Sequence, residues 1–422
     1  MTLIKTGLLN SIAVTIKMLT LLGLNKVLAV YVGPNGYAAL GQFQNAMQMI
    51  TTFASGAINT GVTKYTAEYV NDHLAQRRVW GTAGTVALVG SLLSAIIIVA
   101  CNEVLAKWFL NSEEYGGVFI CFAASLVFFS FNTLLLAVLN GKKEIERYVI
   151  ANIAGSLFSL VITSFMAMNF GLYGALVALA VYQSIAFIVT LVLCYRAPWF
   201  KLAYFFSGID VPVILNLSKY ALMAFTSAAC VPVSHMVVRE YLSNTFGLQT
   251  AGYWEAMWRL SAAYLMLVTT TLSVYYLPRL SELKSASEIK LEVLQGYRII
   301  LPIAILSALI IYFMKDFIIV TLFTTDFLPM RELFAWQMLG DTLKIGGWLL
   351  AYLMLGKAMV KLFIFSEVIF AVGFVVFTWV FTSLLGFQGV AIAHAVNYLL
   401  YWLVMAFFVW RKLVGQQAFT EN

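Results

Sequence analysis

Asp341 and Lys344 stand one helical turn apart in R-E-L-F-A-W-Q-M-L-G-D-T-L-K-I-G-G-W-L-L-A-Y-L-M-L-G-K (331–357), a stretch otherwise suited to crossing a bilayer. At about 1.5 Å per residue both fall near the midplane. A charge there costs about 2.5–3.5 kcal/mol on insertion scales. Two such charges of opposite sign require a polar interior, and the chemistry they offer is ion recognition or charge movement. Lys17, Lys26, Lys64, Lys219, Arg239, Glu255, Arg259, Arg298 and Glu367 also lie in or at the edges of apolar stretches. Basic groups are in excess, and a cavity with a basic excess and low-dielectric walls attracts an anion. Lysine and arginine are also the residues that grip phosphate. The expected substrate-binding residues are therefore Lys17, Lys26, Lys64, Arg259, Arg298 and Lys344. Glu255, Asp341 and Glu367 are expected to balance charge or couple protons.

Each residue has a plainer reading beside this one. Lys64, Lys219, Arg239 and Arg298 lie near helix ends and could snorkel to the interface. Glu255 and Arg259, spaced i, i+4, could be a structural ion pair, and Asp341 and Lys344 could neutralise each other. Lys17 has no acid within four residues and most needs an anionic partner. His235 and His394 read as packing or helix–helix hydrogen-bonding residues. Glu367, ten residues into its span without a local cation, is the best titrating carboxylate.

These charges sit in a chain of 422 residues that is 62% hydrophobic and only 11% charged. No soluble domain has that composition, and little length remains for a separate catalytic domain. The net charge of +7 fits basic cytoplasmic loops rather than a nucleic-acid surface. The N-terminus leads directly into an apolar stretch with no cleavage site, so the first helix is expected to be retained. Cys101, Cys121, Cys194 and Cys230 have no metal-ligand or C-x-x-C spacing and read as packing residues. There is no G-x-x-x-x-G-K-[ST] loop, no H-x-x-x-H and no G-x-S-x-G. No cofactor or metal is expected; a proton or sodium gradient could drive the cycle.

The elements that must position the charges are helices. Apolar windows predict an all-α integral membrane protein with about twelve spans, near 8–32, 42–63, 82–106, 117–139, 148–169, 172–195, 213–238, 251–277, 295–322, 332–355, 358–384 and 387–410. The connections alternate in charge. Arg77, Arg78, Lys142, Lys143, Arg147, Arg196, Lys201, Arg279, Lys284, Lys290, Lys357 and Lys361 fall on one side, with Lys5, Arg411 and Lys412 at the termini. The opposite loops carry Glu113, Glu114, Asp316, Asp326 and Glu332 against Lys107 and Lys315. The positive-inside rule places both termini in the cytoplasm. The aromatic segment 196–212, bounded by Pro198 and Pro212, reads as a cytoplasmic interfacial linker between an N-terminal half (1–195) and a C-terminal half (213–422).

The halves echo each other. Gly36–Gln44 aligns with Gly247–Glu255 at an offset of 211, half the chain length, and the same offset pairs Tyr65 with Tyr276. Six spans per half is an even number, so the halves are expected to be parallel repeats around a central cavity. Gln44 and Gln48 in the first half then correspond to Glu255 and Arg259 in the second.

The runs G-V-T-K-Y (61–65), S-V-Y-Y-L-P-R-L-S-E-L (273–283) and L-F-A-W-Q-M-L-G-D-T-L-K (333–344) resemble the Wzx-type flippases of Gram-negative bacteria. These belong to the multidrug/oligosaccharidyl-lipid/polysaccharide superfamily, and the likeness covers nearly the whole chain. It implies translocation of undecaprenyl-diphosphate-linked oligosaccharide from the cytoplasmic to the periplasmic leaflet of the inner membrane. The product would feed O-antigen (lipopolysaccharide) or enterobacterial common antigen assembly. It also implies a cationic central cavity, contact with membrane lipids, and a polymerase and chain-length regulator as pathway partners, with no nucleic acid. Lys64, Asp341 and Lys344 are the charged candidates lying within the matching runs.

Two other readings remain. An ion-coupled drug antiporter of the same superfamily predicts an acidic pocket, against the basic excess here. A membrane polysaccharide polymerase, the enzymatic alternative, needs a large outer loop, and the outward connections are short.

Overall fold

The computed structural model describes residues 3–420 apart from 277, 278, 281, 282, 284 and 358; at 3–11, 219, 220, 274 and 412–420 it describes the backbone only. Lys284, and the side chains of Lys5, Lys219 and Lys412, therefore lie outside the described residues.

The described chain is helical throughout its regular structure, and it divides into two compact units, Met1–Pro232 and Val233–Asn422. The first contains α1 (Leu3–Tyr31), α2 (Gly33–Ala54), α3 (Asn59–Glu68), α4 (His73–Ala100), α5 (Asn102–Leu110), α6 (Gly116–Gly141) and α7 (Ile145–Tyr195). The division falls inside α8 (Val211–Phe246), at Pro232. The second unit continues with α9 (Leu248–Thr271), a π-helical turn (Leu272–Tyr276), α10 (Ala286–Phe313), α11 (Lys315–Leu322), α12 (Phe334–Gly356), α13 (Val360–Leu385) and α14 (Gly389–Thr420).

Local chemistry explains the boundaries. Pro34 sits in the first turn of α2, where its missing N–H costs nothing. Asp72 caps α4, its Oδ1 accepting from the backbone N–H of Leu74 at 3.1 Å and of Ala75 at 2.9 Å. Gly171 breaks α7 with φ +55° and ψ −135°, a conformation essentially closed to other residues, and lies between the expected fifth and sixth spans. The second expected span, 42–63, is not one helix. The helix begins at Gly33 and stops at Ala54, and Gly56 and Ala57 take positive φ before α3. The sequence offered no breaker stronger than that single glycine.

Among the described residues, seven stretches are long and apolar enough to cross a membrane: Ile12–Tyr31, His73–Ala100, Glu113–Gly141, Ile145–Tyr195, Ala221–Phe246, Ala286–Phe313 and Val360–Arg411. Their outward faces carry Ile96, Val161, Phe165, Ile188, Ile299, Leu306 and Phe407, all exposed. Helices satisfy their own backbone groups, so such faces suit hydrocarbon rather than water. This is an all-α, multi-spanning membrane protein. α9 and α12 fall outside the apolar set, and both carry buried polar groups: Glu255 and Ser261 on one, Gln337, Asp341 and Lys344 on the other.

Segment 196–212 packs onto α4 of the first unit. Trp80 stacks on Phe205 with ring centres 5.9 Å apart and meets Trp199 at 5.4 Å. Arg77 covers the Tyr204 ring at 4.1 Å, and the Asp210 N–H donates to Thr82 Oγ1 at 3.0 Å.

Candidate functional site

The second unit concentrates its buried polar groups in two neighbouring clusters. Asp341, fully buried on α12, accepts four hydrogen bonds. Ser261 Oγ and Tyr264 Oη from α9 both donate to Oδ2 at 2.6 Å. Gln337 Nε2, one turn earlier on α12, reaches Oδ1 at 3.2 Å, and His394 Nε2 from α14 reaches it at 3.0 Å. An ionised carboxylate only accepts, so Nε2 carries the proton in that contact. His394 Nδ1 is buried with no hydrogen-bond partner among the described residues. The approach of α14 depends on Gly340: a Cβ there would lie 2.3 Å from His394 Cδ2.

Lys344 is held by different chemistry. It is buried, and its ammonium lies 4.5 Å from the Trp258 ring centre, 5.0 Å from Trp348 and 5.1 Å from Tyr398. Ring faces carry negative potential, which gives a desolvated cation partial compensation. No ion pair forms between Lys344 and Asp341; the nearest-neighbour pairing expected as one alternative is replaced by an aromatic box on one side and four donors on the other. Asp341 and Glu367 still act on Lys344 through space.

The second cluster is ionic. Glu255 on α9 accepts from Arg239 Nη2 of α8 at 2.5 Å and from Arg259 Nε at 3.0 Å. The Glu255–Arg259 pair expected from i, i+4 spacing is present. Arg239, expected to snorkel, is instead 2% exposed and also lies over the Trp254 ring at 5.5 Å. Glu255 draws it inward, because a buried carboxylate between two guanidiniums is better compensated than one paired singly. Arg298, on α10, is exposed, and Glu367, on α13, is half-buried. His235 packs among Trp254, Trp258 and Phe374.

In the first unit Lys17 and Lys26 are on α1, the former accessible and the latter half-buried. Lys64 on α3 is exposed, 3.6 Å from Glu68 and over the Tyr65 ring at 4.7 Å. Lys17 lines an open cavity of about 120 Å³ walled by α1, α6 and both parts of α7. Gly36 lies in the first turn of α2 and Gly247 immediately before α9.

Sequence reasoning missed the donors to Asp341 and the walls around Lys344. Two were legible locally: Gln337 is i−4 from Asp341, and Trp348 is i+4 from Lys344. Ser261, Tyr264 and Trp258 come from α9 and His394 and Tyr398 from α14, with no sequence signal linking them to α12. No group of three or more His, Cys, Asp or Glu suited to a metal occurs among the described residues.

Comparison with known proteins places this geometry in context. The chain is 29% identical over 415 residues to the lipid III flippase of Escherichia coli (strain K12), covering 98% of this chain and 100% of that one. The lipid III flippase of Shigella flexneri matches to the same extent. Among solved structures, an inward-facing multidrug resistance MATE family transporter of the MOP superfamily superposes with a TM-score of 0.78 at 16% identity, over 96% of each chain. The Vibrio cholerae MATE transporter VcmN, as its D35N mutant, gives a TM-score of 0.75 at 14% identity, over 96% of this chain and 95% of that one. The fold is thus that of the MATE transporters. The family described as polysaccharide biosynthesis protein matches residues 3–284, more than half of the chain, and the chain belongs to that family.

Proposed function

We propose that the chain is a flippase, a transporter rather than an enzyme, that moves a lipid-diphosphate-linked oligosaccharide across the inner membrane. The substrate class is the undecaprenyl-diphosphate-linked repeat unit of O-antigen or enterobacterial common antigen synthesis, carried from the cytoplasmic to the periplasmic leaflet. Family membership and full-length likeness to lipid III flippases support this reading. The observation that carries it is Lys344: a buried ammonium held by ring faces, with no direct carboxylate partner among the described residues, while the adjacent carboxylate is saturated by others. Ring faces release a cation to an anionic headgroup at far lower cost than an ion pair would.

In this reading two six-helix repeats alternate access, both termini are cytoplasmic, and Lys17, Lys26, Lys64, Arg259 and Arg298 supply the remaining positive field. Coupling to a proton gradient has a concrete place. A proton added at His394 Nδ1 leaves the Nε2–Asp341 bond intact and gives a charged pair. Lys344→Glu should abolish surface polysaccharide in a complemented flippase-deficient strain and leave lipid-linked units to accumulate, at unchanged protein level. Retained export would remove Lys344 from the mechanism. Efflux of a cationic dye by the wild type, with no polysaccharide complementation, would favour the drug-antiporter reading instead.

A further inference from the structure

Segment 196–212 joins two helix faces that suit hydrocarbon. On α7, Ile188, Val192 and Tyr195 follow one another at i, i+4 and i+7, and all are exposed. On α8, Val211 and Leu215 are exposed one turn apart. Between them the segment itself exposes Leu202, Phe206 and Ile209. It is nevertheless a fixed surface. Phe205 is 1% exposed against Trp80, and a Cβ on Gly84 of α4 would collide with the Phe205 carbonyl. Continuity with the stripes on α7 and α8 makes the bilayer the occupant of this face, at the depth where the chain leaves the hydrocarbon.

The same place carries uncompensated cations. Arg196 and Lys201 on the segment, and Arg77 and Arg78 on α4, are exposed and form no ion pair among the described residues. The acid of the segment, Asp210, is committed locally, its Oδ1 accepting from the Val213 N–H at 3.2 Å. Glu144, to which Trp199 Nε1 donates at 3.1 Å, is paired with Arg147 at 2.7 Å. Arg77 is the best placed of the four cations. Its guanidinium lies 4.1 Å from the Tyr204 ring centre, and the Tyr204 N–H donates to the Lys201 carbonyl at 3.0 Å. Arg77 and Lys201 thus meet at one corner of the segment. A guanidinium held by a ring face keeps its N–H fork for a phosphate, and Arg77 makes no side-chain hydrogen bond among the described residues.

We infer that this corner is a binding site for an anionic glycerophospholipid of the surrounding membrane. Arg77 and Lys201 take the phosphate, and Arg78 and Arg196 supply the rest of the field. The acyl chains run over Leu202, Phe206 and Ile209 onto the stripes of α7 and α8. A zwitterionic lipid is the poorer occupant, because its own cation offsets the phosphate beside four cations that have no partner acid. The lipid is a resident of the bilayer and not cargo, so the site does not depend on the function proposed above.

The test is native mass spectrometry of the purified full-length protein, released from micelles that hold equimolar phosphatidylglycerol and phosphatidylcholine. Phosphatidylglycerol should be retained roughly twentyfold over phosphatidylcholine, about fivefold for each of the two contacting residues. Arg77→Gln and Lys201→Gln, both at exposed positions, should each lower the preference about fivefold. Tyr204→Leu keeps every charge but removes the ring beneath Arg77, and should lower it about two- to fivefold, which a diffuse positive field would not show. Lys315→Gln is the matched control: its ammonium lies 4.3 Å from the Tyr312 ring, elsewhere in the chain, and the preference should stay at the wild-type value. All variants are compared as monodisperse protein by size exclusion. Hydrogen exchange in nanodiscs then locates the lipid. Amides 201–209 should exchange more slowly with phosphatidylglycerol present than in phosphatidylcholine alone, and those of α11 should not change. Equal retention of the two lipids, or a wild-type preference in Arg77→Gln, Lys201→Gln or Tyr204→Leu, would overturn the assignment. So would exchange at 201–209 indifferent to phosphatidylglycerol, as a face reserved for a soluble protein would show. Displacement of the lipid by an equal concentration of inorganic phosphate would overturn it as well, marking a site for phosphate alone.

Discussion

Gly340→Ala tests whether α12 and α14 meet as closely as the Asp341–His394 contact requires. The added methyl carbon would lie 2.3 Å from His394 Cδ2, and ordinary contact begins at 3.4 Å, so the ring must retreat by about 1.1 Å, the difference of the two. A displacement of that size along the bond would carry His394 Nε2 from 3.0 Å to beyond hydrogen-bond reach of Asp341 Oδ1. Swinging the ring aside would not clear the site, because the backbone N of Ala395 also lies 3.1 Å from the new carbon. Overpacking of this kind costs about 1–3 kcal/mol. Losing an interhelical hydrogen bond inside a membrane costs about 1–2 kcal/mol. Alanine's better helix propensity returns about 1 kcal/mol. The net loss is about 1–4 kcal/mol, read as a fall in the thermal unfolding temperature of the purified protein in detergent. His394→Ala removes the ring that clashes, so its own loss and that of Gly340→Ala should combine to less than their sum in the double variant. A Gly340→Ala protein as stable as the wild type, or losses that simply add in the double variant, would refute the packing described here.

Glu255→Gln leaves Arg239 buried beside Arg259 without its carboxylate, and removing one member of a buried ionic cluster typically costs about 3–5 kcal/mol. Thermal unfolding should show it as a large loss, whereas Lys107→Gln, on an exposed pair, should not move the transition. Gly171→Ala places a Cβ at φ +55° and ψ −135°; a strain of about 1–3 kcal/mol should lower the unfolding temperature although no neighbour lies within 4 Å to clash. Trp258→Ala opens the aromatic box and should impair polysaccharide export in the complementation assay by changing how Lys344 is held, with protein abundance as the control. Export at wild-type level would show that the box has no part in transport.

Much of the helical layout was legible because its signals are local. The gap between the expected fifth and sixth spans coincides with Gly171, and the spans expected at 117–139 and 358–384 lie close to α6 and α13. The second span failed because Gly33-Pro34 starts a helix earlier than hydropathy suggests, and hydropathy does not register a break at Gly56 and Ala57. For the charges, spacing along one helix was reliable when both partners were on it. Glu255 and Arg259 pair as their i, i+4 spacing requires. Asp341 and Lys344, three apart, also share a face, yet each prefers partners from other helices.

The sequence by itself determined that the chain is a helical membrane protein, where several of its long helices fall, and that Asp341, Lys344 and Glu255 lie within them. Periodicity, composition and the cost of a charge in hydrocarbon act on each helix separately. Only the tertiary structure decided what each charge is bound to. Arg239 turns inward to Glu255, Asp341 gathers donors from α9 and α14, Lys344 rests among three rings, and Lys17 lines a cavity with Asn132 and Gln183. Hydrogen bonds and ring contacts reach only a few ångströms, so partners far apart in the chain become neighbours only when the helices pack.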